Sequence, residues 1–176
     1  MYKRPIYQIV AKRLGEPRRF IQVLAGPRQT GKTTLARQIL SDFKGPGHYA
    51  TADEPVLKNR VWIEQQWETA RFQVRKEGGR ARGLLVLDEV QKIPAWSETV
   101  KRLWDEDTRR KRRVKVVVLG SAPLLIQRGL SESLAGRFEV RLARWVIPEH
   151  SYTKAALTLR QSIRAVLSGM NTVTRR

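Results

Sequence analysis

The first legible chemistry lies in nine consecutive residues. Gly26-Pro27-Arg28-Gln29-Thr30-Gly31-Lys32-Thr33-Thr34 fits G-x-x-x-x-G-K-[ST] at every defined position. A chain of phosphates is a dense anion. Successive backbone N–H groups form a nest around such a group. Gly26 and Gly31 permit turns that side chains forbid. A helix starting at Lys32 points its positive end at the same place. In this reading Lys32 reaches the β- and γ-phosphates, the Thr33 hydroxyl ligates Mg²⁺, and Thr34 contacts the α-phosphate. The expected ligand is ATP or a similar nucleoside triphosphate. No Asn-Lys-x-Asp guanine signature occurs.

A second constellation follows about 55 residues later. Leu84-Leu85-Val86-Leu87 is a wholly apolar run that ends in Asp88-Glu89. Asp88 is the expected holder of the metal's shell, and Glu89 is placed to polarise an attacking water. Val116-Val117-Val118-Leu119-Gly120 leads to Ser121, either a γ-phosphate sensor or a helix cap. Arg137 is the candidate arginine finger, serving this chain or a neighbouring subunit, against the alternative of a salt-bridged surface arginine. Asp53 is read chiefly as a turn acid.

These residues need a scaffold that delivers them to one place. Pro5 to Leu14 sets Ile6, Ile9, Val10 and Leu14 at helical spacing, with the proline suited to a helix start. Phe20–Ala25 reads as a buried strand running into Gly26, and Lys32–Phe43 as the helix after it. Strands are also predicted at His48–Ala52, Leu84–Leu87, Val114–Leu119 and Phe138–Leu142. Helices are predicted at Val56–Lys76, Ala95–Lys111, Leu124–Ala135 and Tyr152–Ser168, with Asn171–Arg176 frayed. Trp62 and Trp67 are read as packing anchors, and Val100, Leu103 and Trp104 as facing inward. Strands alternating with helices imply an α/β fold with a parallel sheet covered on both faces. Ligands then bind beyond the C-terminal strand ends, where Gly26, Asp53, Asp88 and Ser121 all fall.

Composition narrows the classes. The chain has 176 residues, 41% of them hydrophobic, enough for one domain with its own core. It contains no cysteine and two histidines, which excludes disulfides and disfavours structural zinc. No apolar run approaches the roughly 20 residues of a membrane span, and the N-terminus is too charged for a signal peptide. The expected location is the cytoplasm. Thirty-five Lys and Arg against 16 Asp and Glu give a formal charge of +19. That excess points to nucleic acid as a partner, or to arginine dispersed over the surface. Neither a Cys/His finger nor an aromatic–basic RNA-binding signature accompanies it.

The segments GPRQTGKTTLARQIL, YATADEP, LLVLDEVQKIPAW, VKVVVLGSAPLL and ESLAGRFEV together resemble the AAA+-like ATPase core of a bacterial and archaeal family related to the STAND-type archaeal ATPases. The resemblance spans Arg18 to Leu142. It implies a P-loop NTPase of the additional-strand class, with a five-stranded, mostly parallel sheet between helices. It also implies a catalytic Glu89 and a sensor at Ser121, and it favours a functional Arg137. The division expected is an N-terminal amphipathic helix at 1–18, the ATPase core at 19–143, and an atypical helical tail at 144–176. Family members usually continue into a helical lid and a further domain, so a truncation or frame change is expected after Leu142. The expected activity is Mg²⁺-dependent hydrolysis of ATP to ADP and phosphate, with a homo-oligomer as the expected assembly. The alternatives are an ATP-binding switch or truncated remnant with little turnover, and a basic nucleic-acid-binding module.

Overall fold

The computed structural model describes residues 3, 5–53, 59–78, 81–121, 126 and 134–142. The element order is α1 (Pro5–Gly15), β1 (Ile21–Ala25), α2 (Lys32–Asp42), β2 (Gly47–Thr51), α3 (Arg60–Lys76), β3 (Gly83–Asp88), a 3-10 turn (Val90–Lys92), α4 (Trp96–Arg109), β4 (Val114–Gly120) and β5 (Phe138–Leu142). The five strands form one sheet in the order β2-β3-β4-β1-β5, and every pairing is parallel. β4 is inserted between β1, which carries the glycine loop, and β3, which carries the acidic pair. That insertion is the additional-strand arrangement of a P-loop NTPase.

Strands buried on both faces are mostly apolar, and β1, β3 and β4 are buried along their whole lengths, with Gln22, Asp88 and Lys115 as their buried polar positions. Successive side chains point to opposite faces. Leu85 and Leu87 of β3 join Val116 and Val118 under α3 and α4, where Ile63, Trp67, Val100, Leu103 and Trp104 close one core. Leu84 and Val86 face the other way, against Tyr7, Val10, Leu14, Leu35 and Ile39 of α1 and α2. The inward placement expected of Trp67, Val100, Leu103 and Trp104 therefore holds, and Trp62 packs at the margin of the first core. Ile9 does not hold: it is 47% exposed, and Tyr7 takes the buried position instead. A helix as short as α1 covers the sheet with one narrow stripe, and Tyr7, Val10 and Leu14 at i, i+3 and i+7 already fill it.

One buried ionic network ties α3 to α4. Asp107 is fully buried, and it accepts hydrogen bonds from the Trp67 indole at 2.8 Å and from Arg71 Nε at 2.8 Å. Arg71 is 3% exposed and also reaches Glu106 and Glu68. A buried charge is tolerable when its hydrogen-bonding capacity is met, and here both partners are well supplied.

The helix expected over Val56–Lys76 begins at Arg60, capped by the Asn59 side chain accepting from Trp62 N–H at 3.2 Å. Residues 54–58 lie outside the described residues. So do most of the helix expected at Leu124–Ala135 and all of the tail from residue 143. Among the described residues, no helix is long and apolar enough to cross a membrane.

Candidate nucleotide site

The chain leaves β1 at Ala25 and turns into α2 through the glycine loop. Gly26 N–H donates to Gly120 O at 3.2 Å, which fixes the loop's start to the end of β4. Two residues then take left-handed backbone angles, Gln29 at φ 62° and Gly31 at φ 75°. Glycine removes the steric cost at the second, and Gln29 carries it at the first. Thr30 is fully buried, and its hydroxyl donates to Pro27 O at 2.9 Å, folding the loop on itself. Gly31 caps α2 and makes no side-chain cap hydrogen bond.

Lys32 is 6% exposed, and its ammonium donates to Gly26 O at 2.9 Å and Pro27 O at 2.7 Å. Burial lowers its pKa from the ordinary lysine value, opposed by the charges of Glu89 and Asp88. Alternation along β3 explains how Asp88 meets α2. Leu84, Val86 and Asp88 share the face that packs on α1 and α2, so the carboxylate emerges beside Thr33. The Thr33 hydroxyl donates to Asp88 Oδ2 at 2.8 Å, across 55 residues of sequence. Tyr49, in β2, donates its hydroxyl to the same oxygen at 2.7 Å, and burial with this bond raises its pKa. Tyr49 was not singled out from sequence. Its signal is a polar-tipped aromatic in the strand beside β3, two register positions before Asp88's partner Thr51, within diagonal reach.

Glu89 leaves the strand in a left-handed conformation, φ 53°, and swings away from Asp88. Its Oε2 accepts from Ser121 Oγ at 2.7 Å and from Gln91 Nε2 at 2.5 Å. Gln91 is the second residue that sequence reading missed. It stands on the 3-10 turn Val90–Lys92 and packs against the end of β4, where a Cβ added to Gly120 would lie 2.7 Å from its Oε1. The absence of a side chain at Gly120 is what admits it. Asp53 pairs with Lys92 at the mouth of the site.

Arg28, Gln29, Gly31, Lys32, Thr33, Thr34, Asp53 and Glu89 line a cleft of about 570 Å³. The structure thus brings together the glycine loop, Lys32, Thr33, Thr34, Asp88, Glu89 and Ser121. It does not bring Arg137 there. Arg137 precedes β5 and its carbonyl accepts from Ile21 N–H, at the start of β1. The glycine loop follows the other end of β1, about 15 Å away at 3.3 Å per residue. Its guanidinium forms a two-pronged pair with Asp105 at 2.8 and 3.2 Å. A finger acting within its own chain is therefore excluded, because a residue before a parallel strand sits opposite the residues that follow its neighbour.

The donors present fit Mg²⁺. Thr33 and Asp88 offer hard oxygens at one point, and among the described residues no three His, Cys, Asp or Glu side chains gather into a closed cage. Mg²⁺ takes one or two protein oxygens and fills its shell with water and phosphate.

Comparison with known proteins gives the family. The profile of a family described as AAA domain matches residues 18–146. The chain belongs to the AAA domain family. Two curated relatives, uncharacterized proteins of Mycobacterium bovis and Mycobacterium tuberculosis, are each 34% identical over 120 residues. Those residues are 68% of this chain and 24% of each relative, so the chain matches about a quarter of their length. A solved structure described as the basis for katanin self-assembly aligns at 22% identity with a TM-score of 0.49, covering 70% of this chain and 40% of that one. Membership gives this AAA domain a nucleotide-binding function of the ATPase type.

Proposed function

We propose that this AAA domain binds ATP with Mg²⁺ and hydrolyses it to ADP and phosphate, driving a conformational change. The observation that carries the proposal is the meeting of Thr33 and Asp88 beside the Lys32 cleft, with Glu89 next in the chain. In this reading the loop N–H groups from Gly26 to Thr34 cradle the phosphates. Lys32 exchanges its two carbonyl acceptors for phosphate oxygens. Thr33 and Asp88 hold Mg²⁺, which when bound neutralises charge on the phosphoryl oxygens. The Glu89 carboxylate accepts the proton of the attacking water, and Ser121 orients that carboxylate through its hydrogen bond.

A second reading, an ATP-binding switch with little turnover, draws on the position of Arg137. A lone chain supplies no arginine from that position to its own cleft. Assembly into a homo-oligomer would let a neighbour supply it. Phosphate release measured over a wide range of protein concentration separates the two. Specific activity that rises with concentration supports an assembling ATPase. Tight ATP binding with negligible release at every concentration supports the switch. Lys32→Ala is expected to abolish ATP binding by calorimetry, and unchanged affinity would refute the assignment of the cleft.

A further inference from the structure

The charge of +19 is not spread evenly over the fold. In a parallel sheet, the segments that enter the strands gather at one end and those that leave gather at the other. The nucleotide cleft occupies the leaving end. The entering segments are residues 43–46 before β2, 77–78 and 81–82 before β3, 110–113 before β4, 16–20 before β1 and 134–137 before β5. They lie side by side in the order of the strands. Leu84 N–H donates to Pro46 O, Gly83 N–H to Arg113 O, Ile21 N–H to Arg137 O, and Arg82 to Gly15 O at 2.6 Å.

This end is strongly basic. Along the row stand Lys44, then Lys76 and Arg82, then Arg109 and Lys111, then Arg19, all exposed. Among the described residues none of these six is paired with a carboxylate. Most acids at this end are engaged internally: Glu16 by Arg13, Asp105 by Arg137, and Glu106 and Asp107 by Arg71 and Arg112. The positive field is felt in the interior as well. The buried ammonium of Lys115, at the start of β4, is pushed down to about 8 by burial and then by Arg82.

We propose that this row is a binding surface for the phosphate backbone of double-stranded nucleic acid. Five strand ends about 4.8 Å apart make a row about 19 Å long, which matches a stretch of duplex axis carrying about eleven phosphate charges. Flexible Lys and Arg ends meet phosphates without reading bases, so the binding is independent of sequence. Single strands are held by successive exposed rings. Of the rings at this end, Trp104 is buried beneath the Arg18 guanidinium at 3.4 Å, and Phe20 and Phe43 are half-buried. Among the described residues Phe72, on α3, is the one strongly exposed ring. The opposite placement of row and cleft lets duplex and nucleotide occupy the chain together.

The test is fluorescence anisotropy of a labelled 20-base-pair duplex with the full 176-residue chain. Three proteins are compared: the wild type, a row variant (Lys44→Gln, Lys76→Gln, Arg109→Gln) and a control (Arg60→Gln, Lys101→Gln, Arg102→Gln). The control removes the same charge from the flanks of α3 and α4. The row variant is expected to bind at least about tenfold more weakly at 100 mM salt, with a log–log salt slope shallower by about 2 to 3. The control should change less than about threefold, and saturating ATP with Mg²⁺ should leave duplex affinity unchanged. A second row variant, Arg19→Gln with Lys111→Asn, repeats the test without touching α2, α3 or α4. Equal losses in row and control variants would reduce the effect to net charge and overturn the surface. So would a wild type that fails to bind at 50 mM salt, competition by ATP, or a single strand or anionic vesicle bound as tightly as the duplex.

Discussion

The role proposed for Glu89 is best tested by Glu89→Gln, because the structure sets what the substitution keeps. Glu89 is anchored by two donors on one oxygen, Ser121 Oγ at 2.7 Å and Gln91 Nε2 at 2.5 Å. Glutamine has the same shape, and its amide oxygen accepts both of those bonds. Thr33 and Asp88 are untouched, so phosphate and metal ligands stay in place. What disappears is the capacity to take a proton. General-base catalysis contributes about 10²–10⁴-fold, or about 3–5 kcal/mol of barrier at 1.36 kcal/mol per factor of ten. Phosphate release at saturating ATP should fall by that factor. ATP affinity should hold or rise, since one negative charge leaves a site that receives a polyanion. A coupled phosphate assay gives the rate, and titration with a fluorescent ATP analogue gives the affinity. Turnover within fivefold of wild type would refute the base assignment. Loss of binding would show that Glu89 shapes the cleft instead.

Other outcomes follow from the same structure. Asp107→Ala leaves Arg71 half-paired and the Trp67 indole without its acceptor, at a cost of about 3–5 kcal/mol; thermal melting should drop by about 10 °C, and a change under 2 °C would sink the account. Lys115 has a folded pKa of about 8, below its unfolded value, so the unfolded chain binds more protons between about pH 8 and 10.5. Wild-type stability should therefore gain from this group as pH rises through that window. Lys115→Met should be more stable than wild type by about 1–2 kcal/mol at pH 7, after loss of the bonds to Arg13 O and Glu16 O, with the advantage gone near pH 10.5 in urea titrations. Arg137→Ala should slow phosphate release at high protein concentration without weakening ATP binding, and an unchanged rate at every concentration would remove the finger.

Much of this was legible before any coordinates. The glycine loop reads directly because its chemistry is local: one turn and one helix start supply every donor. The strand ends read well because strands buried on both faces are continuous apolar runs, as at Leu84–Leu87 and Val116–Leu119. The contacts that tune the site were not legible. Gln91 reaches Glu89 through a 3-10 turn and the missing side chain at Gly120, and neither leaves a periodic mark. Tyr49 finds Asp88 through the register of β2 on β3, which sequence alone does not set. The Arg71–Asp107 pair was hidden for a further reason. Charged residues on a helix read as solvated, and only the proximity of α3 and α4 turns these two inward.

Arg137 carries the more general point. Sequence places it near a strand, as it places Asp88 and Ser121 near strands, and leaves open whether it serves this chain or a neighbouring subunit. Direction decides. Asp88 is the last residue of β3 and Ser121 follows the last residue of β4, while Arg137 comes before the first residue of β5. With all five strands parallel, that difference of side is a difference of a whole strand length. Residues that leave strands converge on the nucleotide, and residues that enter them form the basic row. An arginine on the entering side acts on a phosphoryl group only when a neighbour presents its cleft to that side. The contribution of Arg137 to turnover must then depend on protein concentration, whereas that of Glu89 must not.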